Sequence, residues 1–260
     1  MAEITQIISN IPYRLALAGG WIDQPFISRH NPTPPGAMVV VGVLPEFRFM
    51  DRCGMGTSTR QVASRLWDGG LPRGDPARMV QELYAAENEG KSEPSGSQDM
   101  AGLIYPGINR LDYDFQYTGG YFPAHVESNN DPETAGWLEG VINVLPVAPR
   151  PVGYNPFSPD DNLDAEWIRR LGQSGHACYQ AIFEKDAIAL GASFNECMSC
   201  WETILPRTVR HPLITMDLME LLGYYQQRYA GAMYSGCGGG YLYVVSEEPV
   251  PGAFKVHVRL

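Results

Sequence analysis

The sequence lacks long hydrophobic runs, because no uninterrupted apolar stretch approaches the roughly 20 residues that a membrane-spanning helix requires. The start of the chain, MAEITQIISNIPYR, also has neither the basic flank nor the apolar stretch of a signal peptide. Both absences indicate a cytoplasmic protein that has no membrane partner.

Positive charge is also scarce, with 19 Lys and Arg residues against 29 Asp and Glu residues and a formal net charge of −10. The acidic surface field that results repels phosphate backbones and anionic membranes. A nucleic-acid partner is therefore not expected.

Cysteine is infrequent, and the five residues, an odd number, do not resemble the disulfide framework of a secreted protein. Cys197 and Cys200 form a C-x-x-C pair, which can be redox-active or form half of a metal site. The pair lies in a helical pattern, and no second C-x-x-C or His pair follows at zinc-finger spacing. Two reduced, free thiols on a helix are the favoured interpretation.

Hydrophobic patterning divides the 260 residues into a strand-rich first part and a helix-rich second part. The predicted strands are residues 13–17, 38–44, 104–113, 141–147, 241–246 and 254–260. The predicted helices are residues 58–66, 76–87, 164–184 with a break near Gly172, 186–205 and 215–229. A connection rich in Pro and Asn, residues 149–162, is the best candidate for a boundary between two parts.

A glycine and hydroxyl cluster stands at the start of a predicted helix, in the run C-G-M-G-T-S-T-R of residues 53–60. Glycines allow a phosphate to approach the backbone closely, and the free N–H groups and dipole of a helix start attract negative charge. The same residues also fit an ordinary helix cap. The G-K-[ST] ending of a Walker A loop is absent.

Two further segments carry residues that are unusual for a simple turn. Asp99 lies between Gln98 and the apolar Met100, where an unpaired carboxylate would cost several kcal/mol to bury. Three adjacent glycines in S-G-C-G-G-G-Y, residues 235–241, come directly before a predicted strand. Three glycines are entropically costly to order, and close approach of this backbone to a ligand accounts for their presence as well as a turn does.

Taken in order, four segments of the chain resemble the signature motifs of the GHMP kinases, the superfamily of galactokinase, homoserine kinase, mevalonate kinase and phosphomevalonate kinase. R-L-A-L-A-G-G-W-I-D, residues 14–23, resembles the first motif of its fucokinase-like and heptose-7-phosphate kinase-like members. Residues 54–59 are similar to the G-L-G-S-S-A loop, residues 96–100 to G-x-Q-D-Q, and residues 235–240 to G-A-G-G-G. The resemblance covers most of the chain and favours the sugar-kinase branch.

The resemblance implies an α+β fold in two lobes. An amino-terminal β-α-β lobe, residues 1–150, would carry the phosphate-binding loop, and a ferredoxin-like carboxy-terminal lobe, residues 151–260, would place helices on an antiparallel sheet. It also implies transfer of the γ-phosphate of ATP to a hydroxyl of a sugar or sugar phosphate, with Mg²⁺ as the accompanying ion. A homodimer is compatible with this interpretation.

The resemblance also assigns roles to individual residues. Asp99 falls on the catalytic base, and Arg14 is placed to stabilise its charge and the charge that develops during transfer. The residues expected at the substrate are Asp23, Gly19 and Gly20. The residues expected at the nucleotide are Gly54, Gly56, Thr57, Ser58, Thr59, Gly236, Gly238 and Gly239. Ser58 and Glu87 fall where the family holds magnesium, for which oxygen ligands are suited.

The sequence departs from the family pattern in two places that bear on function. Only about thirty residues separate Asp23 from Gly54, where family members usually insert the strands and loop that hold the adenine. Arg60 adds a positive charge next to the expected phosphate loop. The shortened segment motivates a second hypothesis, a catalytically inactive protein of the same fold that binds a sugar phosphate or nucleotide.

Overall fold

The computed structural model describes residues 10–68 and 70–260; residues 1–9, which include most of the chain start analysed above, lie outside the described residues. The described chain forms seven strands and eight α-helices. The strands are β1 (Tyr13–Ala16), β2 (Gly36–Val43), β3 (Ile108–Tyr113), β4 (His125–Asn129), β5 (Ile142–Ala148), β6 (Gly231–Gly236) and β7 (Gly239–Val245). The helices are α1 (Pro25–Ser28), α2 (Thr57–Leu66), α3 (Pro76–Asn88), α4 (Gln98–Ile104), α5 (Pro132–Val141), α6 (Ala165–Glu184), α7 (Ala187–Ile204) and α8 (Leu218–Gln226).

The first sheet contains four antiparallel strands in the order β1-β2-β3-β4. All eight residues of β2, GAMVVVGV, are buried, as expected for a β-branched run in the middle of a layered fold. In the register of this sheet Val40 lies opposite Ala16 on one side and Asn109 on the other. The predicted strand near residue 40 is confirmed.

The second sheet contains three antiparallel strands in the order β5-β7-β6. Strands β6 and β7 form a hairpin whose turn is the glycine-rich segment, with Gly236 opposite Gly239. Its first strand, β5, starts at Ile142, before the predicted boundary connection. The two sheets agree with the two-lobed α+β architecture, which is confirmed. Strand β5 of the second sheet lies within residues 1–150, so the sheets do not divide at residue 150.

The long helices α6 and α7 pack against each other and join the two sheets, α6 lying on β2 and α7 on β6. The predicted break of α6 near Gly172 is wrong, because the helix is continuous. A Cβ atom on Gly172 would lie 2.7 Å from the Gly36 Cα, and one on Gly175 would lie 1.9 Å from the Ala37 carbonyl oxygen. These glycines allow close packing of helix on strand instead of breaking the helix.

The chain end does not form the predicted strand over residues 254–260. It makes two isolated bridges, Val144 with Phe254 and Val43 with Val258, so it pairs briefly with each sheet in turn. The reason is topological, since the segment crosses from one lobe to the other. No helix within residues 10–68 and 70–260 has the length and apolar character needed to cross a bilayer.

Candidate active site

A cleft of about 820 Å³ lies where β1, the start of α2, the start of α4 and the β6–β7 turn meet. This volume is within the range of small-molecule sites. Nine of the residues predicted from the sequence line the cleft: Arg14, Gly20, Asp23, Gly54, Gly56, Thr57, Ser58, Asp99 and Gly236. Four segments that are far apart in the chain therefore contribute to one cavity.

Arg14 and Asp99 form a partly buried ion pair in the wall of this cleft. The Arg14 Nε donates to Oδ1 of Asp99 at 2.7 Å, and Nη2 donates to the same oxygen. The Arg14 Nη1 donates to the carbonyl oxygen of Gly54. The Arg14 side chain is 4% exposed and that of Asp99 is 22% exposed. One guanidinium thus connects the predicted base to the predicted phosphate loop. Of the two side chains in the ion pair, that of Asp99 is the more accessible.

Two further side chains orient the Asp99 carboxylate. The Gln98 Nε2 donates to Oδ1 at 2.9 Å, and the Thr59 hydroxyl contacts Oδ2 at 3.4 Å. Asp99 itself lies in the first turn of α4, a helix that the sequence pattern did not predict. Because the carboxylate is held from three sides, its orientation is fixed before any ligand binds.

The two predicted glycine loops touch each other through Gly54 and Gly236. A Cβ atom on Gly54 would lie 2.4 Å from the Ser235 carbonyl oxygen, and the φ angle of Gly54 is +71°. The Ser235 hydroxyl donates to the carbonyl oxygen of Cys53 at 2.5 Å, which fixes this contact. Only glycine fits at such a backbone crossing.

Helix α2 begins inside the cleft without a side-chain cap. Gly56 is its N-cap residue, with φ of +69°, and as glycine it has no side chain to accept from the first backbone N–H groups. Thr57 and Ser58 line the cleft at this end. The first N–H groups of a helix have no intrahelical partner and favour an anion.

The structure separates Ser58 and Glu87, the two residues predicted to hold magnesium. Ser58 is exposed in the cleft, whereas Glu87 is not among the residues that line it. The next residue, Thr59, is fully buried and lies beside both Glu87 and Asp99. Burial raises the pKa of Glu87, an effect to which Asp99 adds and which the Thr59 hydroxyl and Lys91 oppose. Oε2 of Glu87 is buried and has no hydrogen-bond partner among residues 10–68 and 70–260.

Asp23 is the second carboxylate of the cleft, and its side chain lies directly against Gly96. A Cβ atom at Gly96 would lie 1.8 Å from Oδ2 of Asp23, so the loop before α4 can close over this carboxylate only because residue 96 is glycine. Burial, and then the nearby charge of Asp99, raise the pKa of Asp23 from 3.8 to about 7. The carboxyl group therefore changes charge near neutral pH.

This raised pKa predicts how stability depends on pH. Because the folded state favours the protonated form of Asp23, the native protein binds more protons than the unfolded chain between about pH 4 and about pH 7. The free energy of unfolding should therefore fall as the pH rises through this window, by up to about 4 kcal/mol from this group alone. Urea titrations of the wild-type protein and Asp23→Asn across this range measure the difference. Parallel profiles for the two proteins would contradict the assignment.

Solved structures of other proteins share this architecture, although their sequences differ widely from this one. No family model and no curated protein matches the sequence. Among solved structures, a D-glycero-D-manno-heptose 1-phosphate kinase from Bacteroides thetaiotaomicron is 12% identical, with a TM-score of 0.58 over 95% of each chain. A mevalonate kinase is 10% identical, with a TM-score of 0.60 over 96% of this chain and 98% of that one. Both are GHMP kinases. The chain has the GHMP kinase fold.

A putative sugar kinase from Campylobacter jejuni has the same GHMP fold, with 14% identity and a TM-score of 0.52 over 91% of this chain and 87% of that one. At these identities the likeness concerns the fold alone. The cleft lies between elements of this fold that carry the four segments of the sequence resembling GHMP kinase motifs.

Three predicted glycines of the GHMP motifs lie behind the cleft wall. A Cβ atom on Gly19 would lie 2.1 Å from the Ala37 carbonyl oxygen. The turn after β1 can therefore cross β2 only because residue 19 is glycine. Gly238 packs against Tyr154, and Gly239 lies near Leu218. These positions shape the turns that carry Gly20 and Gly236, which do line the cleft.

The additional cation near the predicted phosphate loop is Arg150 and not Arg60. Arg60 donates to the carbonyl oxygen of Ile11 at 2.7 Å and lies 4.2 Å from the centre of the Tyr13 ring. Arg150 lines the cleft, where its Nη1 donates to the Cys237 sulfur at 3.2 Å. Arg60 lies one turn into α2, so its side chain leaves the cleft, whereas Arg150 is close to the β6–β7 turn.

The Pro- and Asn-rich connection forms a wall of the cleft, which the sequence did not predict. Phe157 in this connection packs against Trp21 and Phe26, with ring centres 5.9 and 5.5 Å apart. Asn155 and Asp161 of the same segment also line the cleft. The only sequence signal for this role is the pair of aromatic residues that flank Asp23.

The C-x-x-C cysteines have no part in the site. Cys197 and Cys200 are buried free thiols on α7, as predicted. The Cys197 sulfur accepts from the Gly19 N–H at 3.4 Å, and burial raises its pKa to about 11. Burial stabilises the neutral thiol, which fits a structural role.

Proposed function

We propose that this protein is an ATP-dependent kinase that transfers the γ-phosphate to a hydroxyl of a sugar or sugar phosphate. The observation that carries the proposal is the contact of one side chain, Arg14, with both the Asp99 carboxylate and the Gly54 carbonyl. A proton acceptor and an anion-binding loop thereby share one cleft at a fixed distance. Phosphoryl transfer depends mainly on such positioning and electrostatic stabilisation.

The triphosphate would bind at the start of α2. There the uncapped N–H groups, the Thr57 and Ser58 hydroxyls and the backbone of Gly54 and Gly236 form the cleft surface. Arg150 adds a second positive charge beside Arg14 at this end. Backbone donors and one cation suit an anion with several charged oxygens.

Of the two residues expected at Mg²⁺, only Ser58 lines the cleft, so its hydroxyl would hold the ion there. Glu87 is an oxygen ligand whose Oε2 is buried and unpartnered within the described chain, but it does not line the cleft. Phosphate oxygens and water would complete the coordination, since this ion keeps several waters in nucleotide sites. When bound, the ion supplies charge neutralisation at the β- and γ-phosphates.

In the transfer step the acceptor oxygen forms a bond to the γ-phosphorus, and the bond from that phosphorus to the β–γ bridging oxygen breaks. Asp99 accepts the proton of the acceptor hydroxyl, and ADP leaves with the bridging oxygen. Arg14 stabilises the charge that spreads over the γ-phosphate oxygens. Asp23 would accept a hydrogen bond from a neighbouring hydroxyl and orient the acceptor.

The second candidate is an inactive protein of the same fold that binds a sugar phosphate or nucleotide. The observation that favours it is the short path from Asp23 to Gly54, which contains only α1 and β2 as regular elements. These elements take part in the substrate wall and the first sheet. An adenine site would then have to be formed by other segments.

Release of ADP separates the two candidates. We expect the protein with MgATP and a panel of sugars and sugar phosphates to release ADP at a rate that depends on acceptor concentration. ATP should also slow alkylation of Cys237, which lines the cleft, while the other four cysteines are buried. Protection of Cys237 without ADP release for any acceptor would favour the inactive binding protein.

A further inference from the structure

The acceptor end of the cleft is defined by the contact of two segments. Phe157 brings the connection over residues 149–162 against Trp21 and Phe26, which flank Asp23. Asp161 lies four residues further along the same connection, and both Asp161 and Asp23 line the cleft. The phosphate end is defined by two hydrogen bonds, from Arg14 to the Gly54 carbonyl oxygen and from Arg150 to the Cys237 sulfur.

Two buried acceptor atoms of this cleft have no hydrogen-bond partner in residues 10–68 and 70–260. Oδ1 of Asp161 is one, while its Oδ2 accepts from the Ser158 N–H at 3.0 Å. Oε1 of Gln98 is the other, and its orientation is set because the Gln98 Nε2 donates to the Asp99 carboxylate. A buried acceptor without a donor costs free energy, so a ligand that brings donors to these atoms binds more tightly than one that does not.

The groups at this end that ionise near or below neutral pH are all carboxyl groups. Asp23, Glu93 and Asp161 line the cleft, and the two arginines that line it are both engaged at the phosphate end. A phosphate or carboxylate on the acceptor would bring only further acceptor oxygens and negative charge to this end. Hydroxyl groups would instead donate to the unpartnered oxygens.

The aromatic residues supply an apolar surface beside these acceptors. The Trp21 and Phe26 ring centres are 6.4 Å apart, and each ring meets the Phe157 ring edge to face. Such a surface fits the apolar C–H face of a ring whose hydroxyl groups point to the side.

We infer that the acceptor is an uncharged, polyhydroxylated ring with one apolar face, that is, an unphosphorylated sugar. This inference rests on the proposed function, since it takes this end of the cleft as the acceptor site. It excludes sugar phosphates, sugar acids and hydroxy acids as preferred acceptors. It also assigns Asp161 as a specificity-determining residue.

Matched sugars test the inference. Galactose, galactose 6-phosphate and galacturonate, and the corresponding mannose set, differ only in the group at C6, which is a neutral hydroxymethyl group, a phosphate ester or a carboxylate. Calorimetry in the presence of a non-hydrolysable ATP analogue should show the neutral member of at least one set binding about tenfold more tightly than its anionic partners. Equal or tighter binding of the anions would overturn the inference, and so would failure of all the sugars to bind.

The Asp161→Asn variant tests the residue directly. If the Asn oxygen keeps the Ser158 N–H, its amide nitrogen replaces the free acceptor with a donor. We expect KM for the preferred sugar to rise about tenfold, with kcat retained and the discrimination against the phosphorylated sugar reduced. Asp160→Asn is the matched control, because Asp160 is exposed, does not line the cleft and contacts only Ser158 within the described chain.

The outcomes for the two proposals differ. If Asp161→Asn behaves like Asp160→Asn in both KM and discrimination, the role of Asp161 is wrong even when ADP is released. If neutral sugars bind with the expected preference and no ADP is released, the acceptor class stands and the kinase proposal fails. Thermal unfolding of both variants shows whether a change in KM reflects lost structure.

Discussion

Asp99→Asn should lower kcat by about 10²- to 10⁴-fold, which is the usual contribution of a positioned general base. The amide cannot accept the proton of the acceptor hydroxyl, whereas its size and shape are those of the carboxylate. Arg14 keeps its contact with the Gly54 carbonyl, so the phosphate loop should remain in place. The measurement is ADP release at saturating ATP and sugar, with ATP affinity determined separately by calorimetry. We expect ATP affinity to change much less than kcat.

Asp112→Asn is the control for losing a buried Asp–Arg ion pair. Asp112 accepts from Arg110 at 2.9 and 3.0 Å, is nearly fully buried, and does not line the cleft. This variant should lose stability and keep kcat. If Asp99→Asn and Asp112→Asn both retain turnover, Asp99 is not the base.

Gly54→Ala should lower nucleotide affinity by about tenfold or more and also destabilise the fold. The new Cβ would lie 2.4 Å from the Ser235 carbonyl and 2.7 Å from the Gly236 Cα, both backbone atoms that cannot rotate away. The two glycine loops would have to separate. The Gly54 carbonyl that Arg14 contacts would move with them.

Gly90→Ala provides a control with the same backbone conformation. Gly90 has φ of +72°, against +71° for Gly54, but a Cβ there meets no atom within 4 Å. Both variants therefore bear the cost of a left-handed alanine, about 1–3 kcal/mol, and only Gly54→Ala also disturbs the loop contact. Calorimetric ATP titrations and thermal unfolding of the two variants separate the effect of the loop contact from that of the left-handed alanine. Equal nucleotide affinities for the two variants would show that the loop contact has no role in binding.

Five of the seven strands and the long helices were predictable because their hydrophobic pattern is a local property, whereas β4 and β6 were missed. The β-branched run of β2 and the periodic apolar residues of α6 and α7 lie close to their predicted positions. Short elements were missed where the sequence signal is weak. Helix α4 is one of these, since its residues, QDMAGLI, are too few to show a helical period.

The GHMP motifs in the sequence named most of the candidate site, and the tertiary structure decided which residues face the cleft. Ser58 and Thr59 are adjacent and chemically alike, yet one is exposed in the cleft and the other is buried against Asp99. Successive residues of a helix point about 100° apart, so their direction depends on how α2 packs. In the same way, Arg60 leaves the cleft, whereas Arg150 enters it.

The sequence by itself determined most strands, the long helices and the order of the motifs, because glycines at tight turns and hydrophobic periods act over a few residues. The α+β fold was implied by the resemblance of those motifs to the GHMP kinases. Only the tertiary structure joined Arg14, Gly54 and Asp99 and turned the apparent linker over residues 149–162 into a wall of the cleft. These contacts connect residues 40 or more positions apart in the chain. Such contacts form only when both lobes fold around the shared helices, and no local pattern encodes that.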